Sequence, residues 1–274
     1  MQSKSMQRSQ WSILRRDPDL QLDALQASFT TYAFARHWHD YYVIGLVEDG
    51  AQTFWCRRAI HTTPRGGMIL LNPGEAHTGQ SDGASGFTYQ ALYPTSAHMA
   101  QAMAEFERPE QLPQFPAVRI DAADLASKVR QLHATFDAAT PSIERQTHWL
   151  TLLTTLVQRY AAAPLRLPAA GNEPRAVAVV RAYIEAHFAE RITLPALAAA
   201  AGLSPFHLIR VFQRAAGVPP HAYLESVRIQ QAQRLLMHGT PPAQVAYDVG
   251  FSSQSHFTSR FLRIIGVTPG HYRS

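Results

Sequence analysis

Between residues 28 and 94 the chain carries short runs rich in β-branched and aromatic side chains: SFTTYAFARHWH, YYVIGLV, AQTFWC and GGMILLNP. They are separated by EDG, TPRGG, NPGEAH and SDGASG, whose Gly, Pro, Asn and Asp residues favour turns. Many short strands without an intervening helix predict an antiparallel β-barrel or sandwich. From residue 95 the apolar spacing changes to three and four: Leu125, Val129, Leu132 and Phe136, then Trp149, Leu152, Leu153, Leu156, Val157 and Tyr160. That spacing predicts two amphipathic helices divided at Thr140-Pro141, with Ser142 as N-cap of the second. Their apolar stripes can cover the barrel or pair with a second subunit, and the reading taken is a homodimer.

Residues 164–174, PLRLPAAGNEP, read as a linker. The segment beyond is helical and repeats itself. Ala198 and Gly202 recur as Ala246 and Gly250; Phe212, Gly217, Val218, Pro220 and Tyr223 recur as Phe261, Gly266, Val267, Pro269 and Tyr272. The offset grows from 48 to 49 residues between these sets, so the second copy holds one extra residue in its turn. Each copy reads as short helix, glycine turn, N-cap serine (Ser204 or Ser253) and second helix. The alanines at 198 and 246 let the paired helices cross closely. A connecting helix runs from Pro220 to about His238. This is helix-turn-helix logic, in which the second helix enters the major groove of DNA. The connecting helix spans ~28 Å at 1.5 Å per residue, against ~34 Å between successive major grooves on one face of DNA.

Charge agrees with that reading. The net +5 of the 274 residues lies wholly in residues 173–274, which hold ten Arg, no Lys and five acidic residues. A basic segment beside a neutral one points to an acidic polymer, nucleic acid first. A chain of this length predicts two domains. The single cysteine, Cys56, excludes an intrachain disulfide framework and a Cys-rich zinc site. No apolar run approaches ~18 residues, so no membrane span is expected. No secretory signal is recognisable, and the cytoplasm is the expected location.

In the first copy Leu208, Val211, Phe212 and Ala215 form the predicted inward stripe, leaving Phe206, Ile209, Arg210, Gln213 and Arg214 for outer or flanking faces. In the second, Phe257, Phe261, Ile264 and Ile265 point inward, leaving Gln254, Ser255, Thr258 and Ser259 outside. Arg and Gln can donate to base edges, and apolar side chains can meet thymine methyls. Arg260 and Arg263 suit phosphate contact. A helical bundle with polar surfaces is the plain alternative.

The run VAYDVGFSSQSHFTSRFLRIIGVTPGHYR resembles the signature of AraC/XylS-type transcription regulators, and LPALAAAAGLSPFHLIRVFQRAAGVPPHAYL resembles their first helix-turn-helix unit. The resemblance spans residues 174–273. It implies base-reading positions at Phe206, Ile209, Arg210, Gln213, Gln254, Ser255, Thr258 and Ser259. Ser259 stands where the family often has arginine, and the arginine here is Arg260. The resemblance also implies promoter DNA as partner, activation rather than repression, and RNA polymerase as a candidate contact. Arg210 serves as a base reader or as a brace of the fold.

In the N-terminal half, His37 and His39 share one face of a strand, because side chains alternate. Gly67, Pro73, Gly74 and His77 mark a strand and tight turn ending in a third histidine. This arrangement resembles a cupin, which implies an effector-binding barrel ahead of the DNA-binding helices. His37, His39, Tyr41, Trp55, His77 and Tyr89 are the expected lining for a small-molecule effector. Enzymatic cupins add a glutamate to such histidines. Here Val43 and Ile44 take its place, so no metal, cofactor or catalytic residue is expected, with His37, His39 and His77 the only set that could hold an ion.

The expected architecture is thus an N-terminal arm (1–27), a cupin-like antiparallel barrel (28–120), a helical dimerisation segment (121–163), a linker (164–174) and an all-α double helix-turn-helix domain (175–274). Its alternatives are a metal-dependent cupin enzyme fused to a DNA-binding domain, and an effector-independent DNA binder.

Overall fold

The computed structural model describes residues 10–83, 86–106, 111–137, 139–162, 167 and 173–273. It divides into two compact units: residues 1–134 with 151–168, and residues 135–150 with 169–274. Most of the expected linker lies outside the described residues. No single helix among them is long and apolar enough to cross a membrane.

The first unit contains β1 (Trp11–Asp17), β2 (Leu22–Phe29), β3 (Phe34–His37), β4 (Val43–Cys56), β5 (Ala59–Pro64), β6 (Met68–Leu71), β7 (His77–Ser81) and β8 (Phe87–Tyr93). They are followed by α1 (Ser96–Met103), β9 (Arg119–Ile120) and α2 (Ala123–Ala134), and then by the second half of α3 (Ser142–Tyr160). The strands pair antiparallel in the order β1-β2-β8-β4-β6-β9, while β3 joins β7, and β5 and β7 join β4. The N-terminal arm is corrected here: residues 11–17 and 22–29 are strands in register from Trp11–Ser28 to Asp17–Leu22.

The expected turn at residues 48–50 is also corrected. VIGLV and AQTFWC are parts of one 14-residue strand, β4, which also takes in EDG. Its first half pairs with β6 and β8 and its second with β5 and β7, so one strand serves both sheets. The change of sheet occurs at a bulge, where the register to β8 shifts between Val47 and Asp49. Gly50 adopts φ +72° there, and a Cβ on it would lie 2.1 Å from the carbonyl oxygen of Gly86. Only glycine fits that corner. On the first half Val43 and Gly45 face the barrel cavity, while Ile44 and Leu46 face the opposite side and are fully buried. Burial on both faces explains why this stretch reads as a continuous apolar run rather than an alternating one.

The apolar stripes of α2 and α3 are consumed within the chain: Leu125, Val129, Leu132, Trp149, Leu152, Leu153, Leu156 and Val157 are all buried. This removes the basis on which they were offered to a second subunit. Ser142 does not cap α3. It is the first residue of that helix, and its buried hydroxyl has no hydrogen-bond partner among the described residues.

The second unit contains α3 up to residue 150, then α4 (Pro174–His187), α5 (Leu194–Ala201), α6 (Pro205–Ala216), α7 (Pro220–Met237), α8 (Pro242–Asp248), α9 (Gln254–Ile265) and α10 (Pro269–Arg273). The sequence repeat is a structural repeat. Ser204 and Ser253 cap α6 and α9 by accepting from His207 N and His256 N. Phe212 meets Tyr223 edge-on at 5.5 Å, and Phe261 meets Tyr272 edge-on at 5.4 Å. There are two cores. Val180, Ile184, Leu197, Leu208 and Phe212 centre the first, and Val245, Val249, Phe257 and Phe261 the second. Helix α7 belongs to both, giving Leu224 and Val227 to the first and Ile229, Ala232 and Leu236 to the second. At the changeover Arg228 is buried and donates to the carbonyls of Phe188 at 2.7 Å and Glu190 at 2.9 Å. Burial lowers its pKa to about 10.

Candidate functional site

The cavity in the first unit has a volume of about 200 Å³. Its wall is apolar where Val43, Gly45, Phe54, Ile69 and Leu71 meet, and polar where His37, His39, Tyr41, His77, Tyr89 and Tyr93 do. A small cavity with one apolar side and one side of histidines and tyrosines suits a small molecule carrying polar groups. Burial raises the pKa of Tyr89 to about 12 and that of Tyr93 further, so both phenols stay protonated and can donate.

The three histidines come together, although strand β3 ends at His37 and His39 lies just beyond it. The His37 and His77 rings are 4.4 Å apart, His39 and His77 4.9 Å, and His37 and His39 5.8 Å. Trp38, between the first two, is 67% exposed and points away. Each ring is pinned through Nδ1 to a backbone carbonyl: His37 to Ala35 at 2.8 Å, His39 to Tyr41 at 3.1 Å and His77 to Glu75 at 2.9 Å. A carbonyl only accepts, so every Nδ1 carries the proton and every Nε2 is left with its lone pair. Burial, reinforced by the His37 imidazole, lowers the pKa of His39 and His77 and favours their neutral forms.

The β6–β7 turn that presents His77 is braced from below. Asn72 bonds the Glu75 carboxylate through its backbone N at 2.9 Å, and exchanges side-chain bonds with the backbone of Phe115 at 3.0 and 2.8 Å. Arg57 Nε holds the same carboxylate at 2.7 Å. Glu75 is therefore spent on the turn, and its carbonyl is what orients His77.

Trp55 is not in this cavity and is corrected as a lining residue; Arg36 stacks over its ring at 3.9 Å. Gln52 and Phe54 line the wall instead. Strict alternation from Val43 would carry the inward face to Trp55, but the bulge at residues 47–50 inverts the parity. Gln52 is 8% exposed, and its Oε1 has no hydrogen-bond partner among the described residues. Gly79 makes room for it, since a Cβ there would lie 2.9 Å from Gln52 Nε2.

In the second unit, α6 and α9 start at capped serines and end at left-handed glycines, Gly217 and Gly266. Gln213, Arg214, Gln254, Ser255, Ser259 and Arg263 are exposed, and Thr258 is half-buried. Phe206 and Ile209 are buried, and Ile209 belongs to the first core, so neither presents itself as an outward reader here. The predicted inward stripes lose Ala215 and Ile264, which are exposed. Arg210 is half-buried. Its Nη2 donates to His207 Nδ1 at 3.0 Å, and His207 Nε2 in turn donates to Glu173 at 2.6 Å. Arg260 is corrected as a phosphate contact. Its side chain is 16% exposed and bonds both Glu144 oxygens at 2.9 and 3.0 Å, Glu225 at 3.3 Å and His256 at 3.0 Å. Arg263 is exposed beside it and pairs with Glu225 at 3.1 Å. The partners Glu144, Glu173, His207 and Glu225 were not singled out from the sequence; the i, i+3 spacing of His207 and Arg210 is the one local signal for any of them.

Residues 19–153 match the family model of an AraC-like ligand binding domain, and residues 197–274 that of a helix-turn-helix domain. The chain is 30% identical over 245 residues to the "Uncharacterized HTH-type transcriptional regulator YbfI" of Bacillus subtilis (strain 168), covering 89% of this chain and 88% of that one. It is 26% identical to the "HTH-type transcriptional activator RhaS" of Citrobacter koseri, covering 91% of each. Among solved structures, a probable AraC family transcriptional regulator from Rhodopseudomonas palustris CGA009 is 34% identical, with a TM-score of 0.35, covering 36% of this chain and 94% of that one. The chain belongs to the AraC family of DNA-binding transcription regulators, with a ligand-binding domain and a helix-turn-helix domain.

Proposed function

We propose that the chain is a cytoplasmic, effector-controlled activator rather than an enzyme, with α6 and α9 reading adjacent major grooves of promoter DNA. The observation that carries the reading is the duplicated capped reader joined by α7. At 18 residues, α7 is ~27 Å long, near the ~34 Å groove repeat. Gln213 on α6, and Gln254, Ser255, Thr258 and Ser259 on α9, are the side chains placed to meet base edges, with Arg210 held beside them by His207. Arg214 and Arg263 serve phosphates, which position the protein without reading sequence. The effector is a small molecule in the barrel cavity, and its binding shifts a population between arrangements of the chain that differ in affinity for DNA. RNA polymerase is the contact through which activation would act.

Self-association is proposed through β1 rather than through the helical stripes. β1 is an edge strand with Trp11 and Ile13 exposed on one side and Leu14 on the other, at 38%, 43% and 65%, and such an unpaired apolar edge is suited to pairing with a second copy.

The test is quantitative DNA binding by the full chain on its own promoter fragment across a salt series. Gln254→Ala with Gln213→Ala is expected to cost ~1–3 kcal/mol per lost base contact on the specific site and little on random DNA. Equal losses on both DNAs, or no salt-sensitive binding at all, would overturn the reading.

A further inference from the structure

We propose that His37, His39 and His77 form a divalent metal site of the zinc type, which anchors an anionic oxygen-donor effector in the barrel cavity. This deepens the effector reading of that cavity and rests on it only for the second clause.

The three histidines offer nitrogens that all lie within 4.8 Å of one another. The carbonyl bonds to each Nδ1 leave Nε2 as the free atom, and no Nε2 of the three has a hydrogen-bond partner among the described residues. Three clustered imidazoles whose Nε2 atoms carry no proton have no donor to offer one another, and a cation is the partner that all three can share. Orientation of ligand imidazoles by carbonyls at the distal nitrogen is the usual support of a metal-bound histidine. Zn–N bonds of ~2.0–2.1 Å at tetrahedral angles require nitrogens ~3.4 Å apart. The present spacing, within 4.8 Å, has to contract to that value when an ion binds. The support is built in: the turn carrying His77 is locked by Asn72, Arg57 and Glu75, and the His39 ring stacks on Tyr41 at 4.0 Å and 7°.

The charge of the wall then specifies the ligand. None of the described lining residues is Asp, Glu, Lys or Arg. Three neutral imidazoles leave the ion's two positive charges uncompensated beside an apolar wall, a costly arrangement unless the remaining coordination position takes an anion. Carboxylate oxygen fits a borderline metal and the small cavity. Gln52 Oε1 supplies the second point of recognition, since it is buried and waits for a donor. The Gln52 amide packs through Nε2 against Gly79, and the backbone of Gly79 is two residues along β7 from His77, ~6–7 Å at strand spacing. A small carboxylate that also bears an O–H or N–H can satisfy both the ion and Gln52 Oε1.

The experiment uses the full chain, stripped with chelator and titrated with Zn²⁺ and with Co²⁺. One ion is expected to bind per chain, and X-ray absorption of the wild-type zinc form is expected to show three imidazole ligands. His39→Ala and His77→Ala should each weaken binding at least tenfold, while His61→Ala, whose ring instead bonds the Cys56 carbonyl, should not. The absorption spectrum reads the wild type alone, so a variant that fails to fold leaves the result intact. Stoichiometry no higher than in the triple histidine variant, or a spectrum without histidine scattering, overturns the site. Acetate is expected to perturb the Co²⁺ bands saturably and acetamide not; an equal response to both overturns the anionic ligand. Promoter binding is measured separately on the same samples. Salt-sensitive binding by protein that takes up no metal would sink this inference and leave the regulator reading standing.

Discussion

The two turn glycines of the repeat look equivalent in sequence and differ in consequence. Gly202 and Gly250 both hold left-handed backbone, at φ +68° and +85°. A Cβ on Gly202 would meet nothing within 4 Å, whereas on Gly250 it would lie 2.6, 2.9 and 3.0 Å from the O, C and Cα of Ala189. Gly202→Ala should therefore cost only the left-handed conformation, ~1–2 kcal/mol. Gly250→Ala adds an overlap with backbone that cannot rotate away, for which ~1–3 kcal/mol more is reasonable. The informative assay is native-state hydrogen exchange, because a chain of two units need not unfold in one step. Peptides from α8 and α9 should lose protection in Gly250→Ala by roughly 5- to 150-fold more than peptides from α5 and α6 lose in Gly202→Ala, at 1.4 kcal/mol per decade. Equal losses at the two sites would refute the argument that close approach, rather than φ alone, fixes glycine at position 250.

Three further outcomes follow from the same geometry. Arg260→Met should destabilise the second unit by about 3 kcal/mol, since it strands Glu144 and Glu225 in a site that is mostly buried; adding Glu144→Gln should recover part of this in denaturant unfolding. Burial lowers the pKa of His221 to about 4, well below the ordinary imidazole value. The unfolded chain therefore binds the extra proton first: its stabilising contribution is complete above pH 6.5 and falls away toward pH 4, by up to ~3 kcal/mol. Unfolding curves at pH 7 and pH 5 should show that drop in the wild type and a smaller one in His221→Gln. Gln52→Met removes a buried unpaired oxygen at similar volume, so the ligand-free melting temperature should hold or rise while the response to effector is lost; a lower melting temperature would show that Gln52 serves the fold.

Legibility followed the range of the interactions. The second unit could be read because its signals are local: caps three residues from their donors, glycines at fixed offsets, apolar spacing of three and four. Its misreadings arose where one helix is covered on more than one side. Ile209 lies off the expected stripe of α6, yet α4, α5 and α7 all contact that helix, and the first core takes Ile209 in. Arg260 read as a phosphate contact because its two carboxylate partners are 35 and 116 residues away. The β domain was harder for the same reason. WSILRRD shows no buried face, with six of its seven residues exposed, and only its pairing with β2 makes it a strand. Trp55 falls outside the cavity and Gln52 inside it because the bulge at residues 47–50 inverts the strand's parity, and Gly50, which reads equally well as a turn residue, is the one local mark of it.

Helix α7 also fixes an angle. Because one uninterrupted helix feeds both cores, each residue inserted or removed between Val227 and Ile229 would rotate α6 about the α7 axis by ~100° against α9 while moving it only ~1.5 Å along that axis. Helices α6 and α9 are thus keyed in rotational phase, as teeth on one shaft, and α7 offers no fine adjustment of pitch. If α6 and α9 read adjacent grooves as proposed, operators whose half-sites depart from that phase must be accommodated by twisting or bending the DNA, so sequence-dependent DNA stiffness would join base contacts in setting promoter choice.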